Sequence, residues 1–228
     1  MGIQEPAYWF VFGSDEYGRD LFSRFLYGGR RAVLVGGSAA LGSVLIGFAV
    51  GAVAGMSGGL ADTILMRCSE LFLSLPWIYL LLAIRALLPL RLTTLQSLAM
   101  IASVATLAGW PRPARIVRGV FLSVKQRPYV SVARSLGAGD FYLVTRHIFP
   151  EVRGLLLTQA ASLLPQFMLV DVAFSFLGLG GNEQQASWGE MLGALRHFSV
   201  VESHGGFLMV AVGIALVIFL MQLAVESE

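Results

Sequence analysis

Residues 129–150 read YVSVARSLGAGDFYLVTRHIFP, a polar stretch between two strongly apolar regions of the chain. It lies in a basic region, 111–153, that holds seven arginines and one lysine against two acidic residues. This region carries a net charge of +6, whereas the whole chain of 228 residues carries +2. A basic loop between apolar segments is typical of the cytoplasmic side of a membrane protein.

The same stretch predicts two short helices around a turn. An apolar stripe at helical spacing marks the first helix, namely Val130, Ala133 and Leu136. The run Gly137-Ala138-Gly139 ends it, because glycine accepts the positive φ found at helix C-termini. We expect Asp140 to N-cap the second helix, and Pro150 to lie in the first turn of the helix that follows. A helix–turn–helix of this kind can insert into a groove on a soluble partner.

The composition predicts an all-α integral membrane protein. Hydrophobic residues make up 56% of the chain and charged residues 13%, with a mean hydropathy of +0.74; a soluble domain carries about 25% charged residues. Cys68 is the single cysteine, so an internal disulfide is excluded, and we expect it to be a small buried residue. Because membrane topology explains the basic cluster, we expect no nucleic-acid partner.

About 20 apolar residues suffice to cross a bilayer, and the chain contains about five such stretches. The predicted spans are 32–56, 62–88, 93–110, 151–177 and 206–225. With the loop 125–150 in the cytoplasm, alternation places the N-terminal segment 1–31 and the loop 178–205 on the extracytoplasmic side. Four arginines near the first span oppose this orientation: Arg19, Arg24, Arg30 and Arg31. The larger cluster at 111–153 decides the orientation.

Several polar or small residues fall within the predicted spans. A face of small residues in the first span predicts close helix packing: Ser43, Gly47, Gly51 and Gly55. Arg67 and Glu70 are three residues apart, so they share a helix face and can pair. Asp171 lies in the fourth span. These three charged residues either form ion pairs between helices or line an aqueous pathway. Pro76 predicts a kink in the second span.

The chain shows no signature of nucleotide, metal or cofactor chemistry. Its single lysine, Lys125, lies outside any Walker A pattern, and no cluster has metal-ligand spacing. The run 55–58, GMSG, matches the GxSG around the nucleophile of rhomboid-type intramembrane proteases. Such a serine needs a histidine base, and none lies inside a predicted span. A glycine-rich turn at Ser57 is therefore favoured, with a protease as the alternative. For the chain as a whole, a passive channel is a further alternative, in which the basic loop only determines topology.

Several motifs resemble those of ABC importer permeases of the dipeptide/oligopeptide/nickel branch. Ser131-Val132-Ala133-x3-Gly137 followed by Ile148-Phe149-Pro150 resembles the EAA-x3-G…I-L-P loop of these permeases. Residues 13–20, GSDEYGRD, resemble GTDELGRD, and 109–118 resemble GW-x-x-x-AR-x-x-R. Residues 175–180 and 187–192 resemble SFLGLG and SWG-x-ML. The resemblance covers nearly the whole chain in order.

The resemblance implies a permease subunit in a bacterial or archaeal cytoplasmic membrane, embedded in lipid, without a cofactor of its own. Its partners would be ABC ATPase subunits, a second homologous permease and an extracytoplasmic substrate-binding protein. The residues implied for ATPase coupling are Ser131, Ala133, Arg134, Gly137, Ala138 and Asp140. Those implied for contact with the binding protein are Ser187, Trp188 and Glu190.

The chain departs from the family pattern at two points. Ser131 and Val132 stand where the family has the glutamate and first alanine of its EAA triplet, so a charged contact to the ATPase is lost. Family members usually have six spans, one of them before the GTDELGRD segment, whereas five are predicted here.

Overall fold

The computed structural model describes residues 10–15, 17–76, 79, 82–84, 86, 93–180, 186–196 and 206–226. Its helices are α1 (Leu21–Ser57), α2 (Gly59–Ser74), α3 (Thr94–Gly109), α4 (Pro111–Lys125), α5 (Pro128–Ser135), α6 (Asp140–Leu143), α7 (Phe149–Phe176), α8 (Trp188–Ala194) and α9 (Gly206–Glu226). A π-helical turn, Val144–Ile148, joins α6 to α7. These ranges contain no β-strand, which confirms the all-α prediction.

Within the described ranges, three helices are long and apolar enough to cross a membrane: Leu21–Ser57, Asp140–Phe176 and Gly206–Val225. They correspond to the first, fourth and fifth predicted spans, and the shorter apolar α3 corresponds to the third. The helix of the first predicted span, α1, begins at Leu21, before the predicted start of that span at residue 32, and the boundary between 31 and 32 stays a prediction. The Asp20 carboxylate caps α1 by accepting hydrogen bonds from the N–H groups of Phe22 and Ser23.

The second predicted span, 62–88, is not one kinked helix. α2 ends at Ser74, and Leu75 is extended, with φ −71° and ψ 128°. The ring of Pro76 disfavours helical backbone at the preceding residue, so it ends α2, and the predicted kink is wrong. Much of 77–92 lies outside the described residues. Cys68, on α2, is exposed, which corrects the expectation of burial.

The small-residue face of α1 packs against α3 and α4, as predicted. Ser43, Gly47, Gly51 and Gly55 are all buried. A Cβ atom on Gly51 would lie 2.4 Å from the carbonyl oxygen of Ala114, and one on Gly55 would lie 2.4 Å from the Cβ of Phe121. Only residues without a side chain allow α1 and α4 to approach this closely.

We predict that Gly51→Ala lowers the melting temperature of the purified protein in detergent. Its added methyl group overlaps the Ala114 carbonyl oxygen and the Val117 side chain of α4, and overpacking of this kind costs about 1–3 kcal/mol. Gly119→Ala is the matched control, because a Cβ there meets nothing within 4 Å. Alanine favours the helix over glycine by about 1 kcal/mol, so the control variant should keep or raise the melting temperature. Equal melting temperatures for the two variants would contradict this account of the α1–α4 contact.

Candidate coupling site

The segment between α4 and α7 is anchored on one side by buried apolar residues. Val130 in α5, Leu143 in α6 and Ile148 in the π-helical turn are each no more than 2% exposed. They form one cluster with buried residues of α4 and α7, namely Val117, Phe121, Val124 and Val152. The segment is therefore packed onto two long helices rather than hanging free as a loop.

The turn after α5 has the geometry that the glycine run predicts. Gly137 has φ 89°, and its N–H donates to the Arg134 carbonyl at 3.0 Å. The Ala138 N–H donates to the Ala133 carbonyl at 3.1 Å. These two bonds form a Schellman motif, which closes the C-terminus of α5.

Asp140 does not cap α6, so that prediction is wrong. Gly139 is the N-cap, and Asp140 is the first residue of the helix. The Asp140 carboxylate instead accepts a hydrogen bond from Arg134 Nη2 at 2.8 Å. This ion pair crosses the turn and links α5 to α6.

Two further contacts connect the segment to neighbouring helices. The Glu151 carboxylate at the start of α7 accepts hydrogen bonds from Arg127 Nη1 at 2.9 Å and from the Tyr129 hydroxyl at 2.8 Å. The bond to this carboxylate raises the pKa of Tyr129 above its ordinary value. Lys125 Nζ donates to the carbonyl of Met56, near the end of α1, at 2.8 Å.

The opposite side of the segment presents large apolar side chains to solvent. We call this the docking patch; it consists of Val132, Leu136, Phe141 and Tyr142, which are 53–83% exposed. Leu136 was predicted to share a stripe with Val130, but it lies at the C-cap of α5 and points outward, so that prediction is wrong. Ser131 is also exposed, and its hydroxyl donates to the Pro128 carbonyl at 2.7 Å.

Sequence reasoning missed Phe141 and Tyr142. Neighbouring residues on a helix cannot all face the same side. Once Leu143 and Ile148 are recognised as the buried positions, the two preceding aromatic residues must point outward. The signal was therefore present in the helical period of the second half of the segment.

The charged residues predicted within the spans are found in ion pairs. Arg67 Nη1 lies 2.8 Å from Glu70 Oε2, and both side chains are exposed. Asp171 in α7 is buried and pairs with Arg31 of α1 at 3.3 Å. The structure thus shows pairing, while a role for these residues in a pathway stays a prediction.

A family model described as "binding-protein-dependent transport system inner membrane component" matches residues 47–226. The chain belongs to this family. Its matched region includes the anchored segment, the docking patch and helices α2 to α9 in full.

Relatives within the family are described as peptide permeases. The dipeptide transport system permease protein DppC of Bacillus subtilis (strain 168) is 38% identical over 180 residues, which is 79% of this chain and 54% of that protein. The oligopeptide transport system permease protein OppC of the same organism is 35% identical, over 79% of this chain and 57% of that protein. A putative peptide permease of Brucella ovis is 34% identical over 91% of this chain and 69% of that protein. The chain spans about half the length of the dipeptide permease.

The fold is similar to that of a solved ABC transporter. A chain of the MetNI methionine ABC transporter in an inward-facing conformation matches with a TM-score of 0.67 and 18% identity. The match covers 91% of this chain and 95% of that one. At this identity the likeness concerns the fold alone.

Of the three residues that the family resemblance assigned to binding-protein contact, two have buried side chains. Ser187 is 2% exposed and Trp188 is 3% exposed, so both side chains pack inside this chain, and their contact with the binding protein stays a prediction. The Ser187 hydroxyl caps α8, and Trp188 Nε1 donates to the Phe25 carbonyl at 2.7 Å. Glu190 is partly exposed and lies 3.5 Å from Arg24. The remainder of the 178–205 loop that could contact a partner, 181–185 and 197–205, lies outside the described residues.

The rhomboid-like arrangement receives no support. Ser57 is the last residue of α1, next to the positive-φ Gly58, as expected for a glycine-rich turn. Within the described ranges, no hydrogen bond joins Ser57 to a histidine. The His147 ring contacts the rings of Tyr129 and Tyr142, and His197 and His204 fall outside those ranges.

Proposed function

We propose that this chain is the permease subunit of an ATP-driven, binding-protein-dependent importer of peptides or a related small solute. It forms half of the translocation pathway with a second permease, and ATP is hydrolysed by separate ATPase subunits. The docking patch carries this proposal. An exposed apolar surface on an anchored, basic segment, just before and within the first turn of the Asp140–Phe176 helix, marks a protein-binding site.

The anchoring suggests how movement at the docking patch reaches the membrane. The Schellman motif and the Arg134–Asp140 ion pair hold α5 and α6 in one arrangement. The same segment then continues without a break through the π-helical turn into α7, since Asp140–Phe176 forms one run of 37 helical residues. A displacement of the docked segment by the ATPase is therefore carried along α7, as rigid-body rocking between two access states requires.

Co-purification tests the proposal directly. The chain should be expressed with an ABC ATPase and the second permease from its own source, and the complex should be isolated through a tag on this chain. A stable complex with both partners, and ATP-driven uptake of peptide into proteoliposomes, are the expected results. Purification as a lone homo-oligomer that conducts solute without ATP would favour the passive channel instead.

A charge in the docking patch should release the ATPase. We predict that Phe141→Asp lowers the co-purified ATPase at least tenfold, because a carboxylate in an apolar groove carries a desolvation cost of several kcal/mol. Gln126→Asp is the matched control, since Gln126 is exposed at the C-cap of α4, near α5 in sequence but outside the docking patch. Equal losses in the two variants would argue against the docking patch as the contact surface.

A further inference from the structure

A cleft between α2, α3 and α7 has the size and the lining of a small-ligand site. Its volume is about 580 Å³, within the range of about 300–1,000 Å³ found for ligand pockets. Its walls are mainly apolar, and its large side chains include Phe72, Leu73, Phe167 and Leu169. Of the described residues that line it, Arg112 is the charged one, and Gln166 is its other polar side chain.

Arg112 brings an uncompensated positive charge to this cleft. Its Nη1 donates to Gln166 Oε1 at 3.1 Å, and no carboxylate in the described part of the chain forms an ion pair with it. The neighbouring Pro113 packs on Gly47, in the middle of the apolar part of α1, and Gln166 lies well inside α7. The pair therefore lies at membrane depth, which corrects the sequence-based placement of Arg112 in a cytoplasmic basic loop. A charged residue at this depth faces protein or a water-filled cavity rather than lipid.

The end of α2 is a second, independent observation that supports a site in this cleft. α2 has 16 residues, and this corresponds to a length of about 24 Å. That is less than the roughly 30 Å of the hydrocarbon core. Leu75, where the backbone turns extended, lines the cleft. Non-helical backbone at membrane depth is tolerated where it is buried in protein or lines an aqueous cavity, and broken helices mark transporter substrate sites.

We propose that this cleft is the intramembrane part of the pathway and that Arg112 binds the carboxylate of the transported solute. The inference rests on the proposed function and adds the chemical class of the solute to it. A guanidinium matches a carboxylate through two parallel hydrogen bonds. Gln166 orients the guanidinium, and the apolar walls accept the side chains of a short peptide. A peptide with a free C-terminus is then preferred over the same peptide with a C-terminal amide.

Uptake by the complete transporter in proteoliposomes tests this preference, with radiolabelled Ala-Phe and its C-terminal amide as probes. Arg112→Gln should lower Ala-Phe uptake about tenfold or more, since a hydrogen bond to a charged group is lost, and should remove the preference for the free acid. Arg112→Lys should keep part of the Ala-Phe uptake and part of the preference for the free acid. Arg153→Gln, which removes an exposed arginine near the start of α7, should behave like the wild type.

The binding protein also selects solutes, so its affinity for both probes is measured separately. That affinity is the same for every permease variant, and the decisive quantity is the change in the acid-to-amide uptake ratio. A ratio unchanged by Arg112→Gln would overturn this inference alone. Failure of the wild type to show any ATP-driven uptake would overturn the proposed function.

Thiol labelling provides a readout that does not depend on uptake. In a Cys68→Ser background, Leu169→Cys places a thiol on the cleft wall, and Leu216→Cys places one on α9, where Leu216 is similarly exposed. A charged, membrane-impermeant thiol reagent should label the first variant, and Ala-Phe should slow that reaction. The second variant should stay unlabelled because it faces lipid. An unreactive Leu169→Cys in the assembled transporter would show that lipid or the second permease fills the cleft, and the inference would fail.

Discussion

Gly137→Leu is expected to abolish ATP-driven uptake while the protein stays in the membrane in normal amounts. Gly137 has φ 89°, a backbone conformation that costs an L-residue with a side chain roughly 1–2 kcal/mol. No atom lies within 4 Å of a Cβ placed there, so the effect is backbone strain rather than a clash. The strain breaks the Schellman motif and lets α5 and α6 change their relative orientation. The docking patch contains residues from both helices, so its shape is lost.

Gly139→Leu is the matched control for this variant. Gly139 lies two residues further on in the same exposed turn and also has open space around it, but its φ of −73° and ψ of 160° suit any residue. Both variants add an identical apolar side chain next to the docking patch. ATP-driven uptake and stimulation of the ATPase are measured for each in proteoliposomes. Normal uptake by Gly137→Leu, or equal losses in the two variants, would refute the coupling role of the turn.

The features that sequence predicted correctly are local ones. The positive φ at Gly137 follows from the chemistry of a helix C-terminus. The packing of Gly47, Gly51 and Gly55 follows from their four-residue spacing. Each depends on residues within one or two helical turns, so the sequence pattern contains the whole physical cause.

The features that sequence reasoning missed depend on contacts between distant parts of the chain. Val130 and Leu136 are equally apolar and are spaced for one face, but α4 covers the first and leaves the second exposed. Tryptophan is a residue type common at membrane interfaces, yet Trp188 is buried. Its ring stacks on that of Phe25 in α1, with 5.4 Å between the ring centroids. Arg31 counted against the predicted orientation as if it were an unpaired charge. It is in fact paired with the buried Asp171, which is 140 residues away in sequence. No local period indicates such a partner.

Asp171→Ala is expected to destabilise the protein by about 3–5 kcal/mol, because it leaves a buried charge without its partner. Asp171 is 2% exposed and Arg31 is 9% exposed, and the guanidinium also donates to the Gly180 carbonyl at 2.8 Å. Thermal unfolding in detergent should show a large fall in melting temperature. Glu70→Ala removes half of an exposed pair, where the contribution is about 0–1 kcal/mol, and should change little.

The double variant Arg31→Met with Asp171→Leu separates the two roles that an intramembrane aspartate can have. Replacing a whole buried ion pair by apolar residues of similar volume is often neutral, so the double variant should recover most of the stability that Asp171→Ala loses. The Gly180 carbonyl would still accept a hydrogen bond from Ser97. If the pair only joins α1 to α7, the stable double variant should also regain ATP-driven uptake. A double variant that is stable but inactive would instead place Asp171 in the pathway, because packing would then be intact and only the charges would be missing.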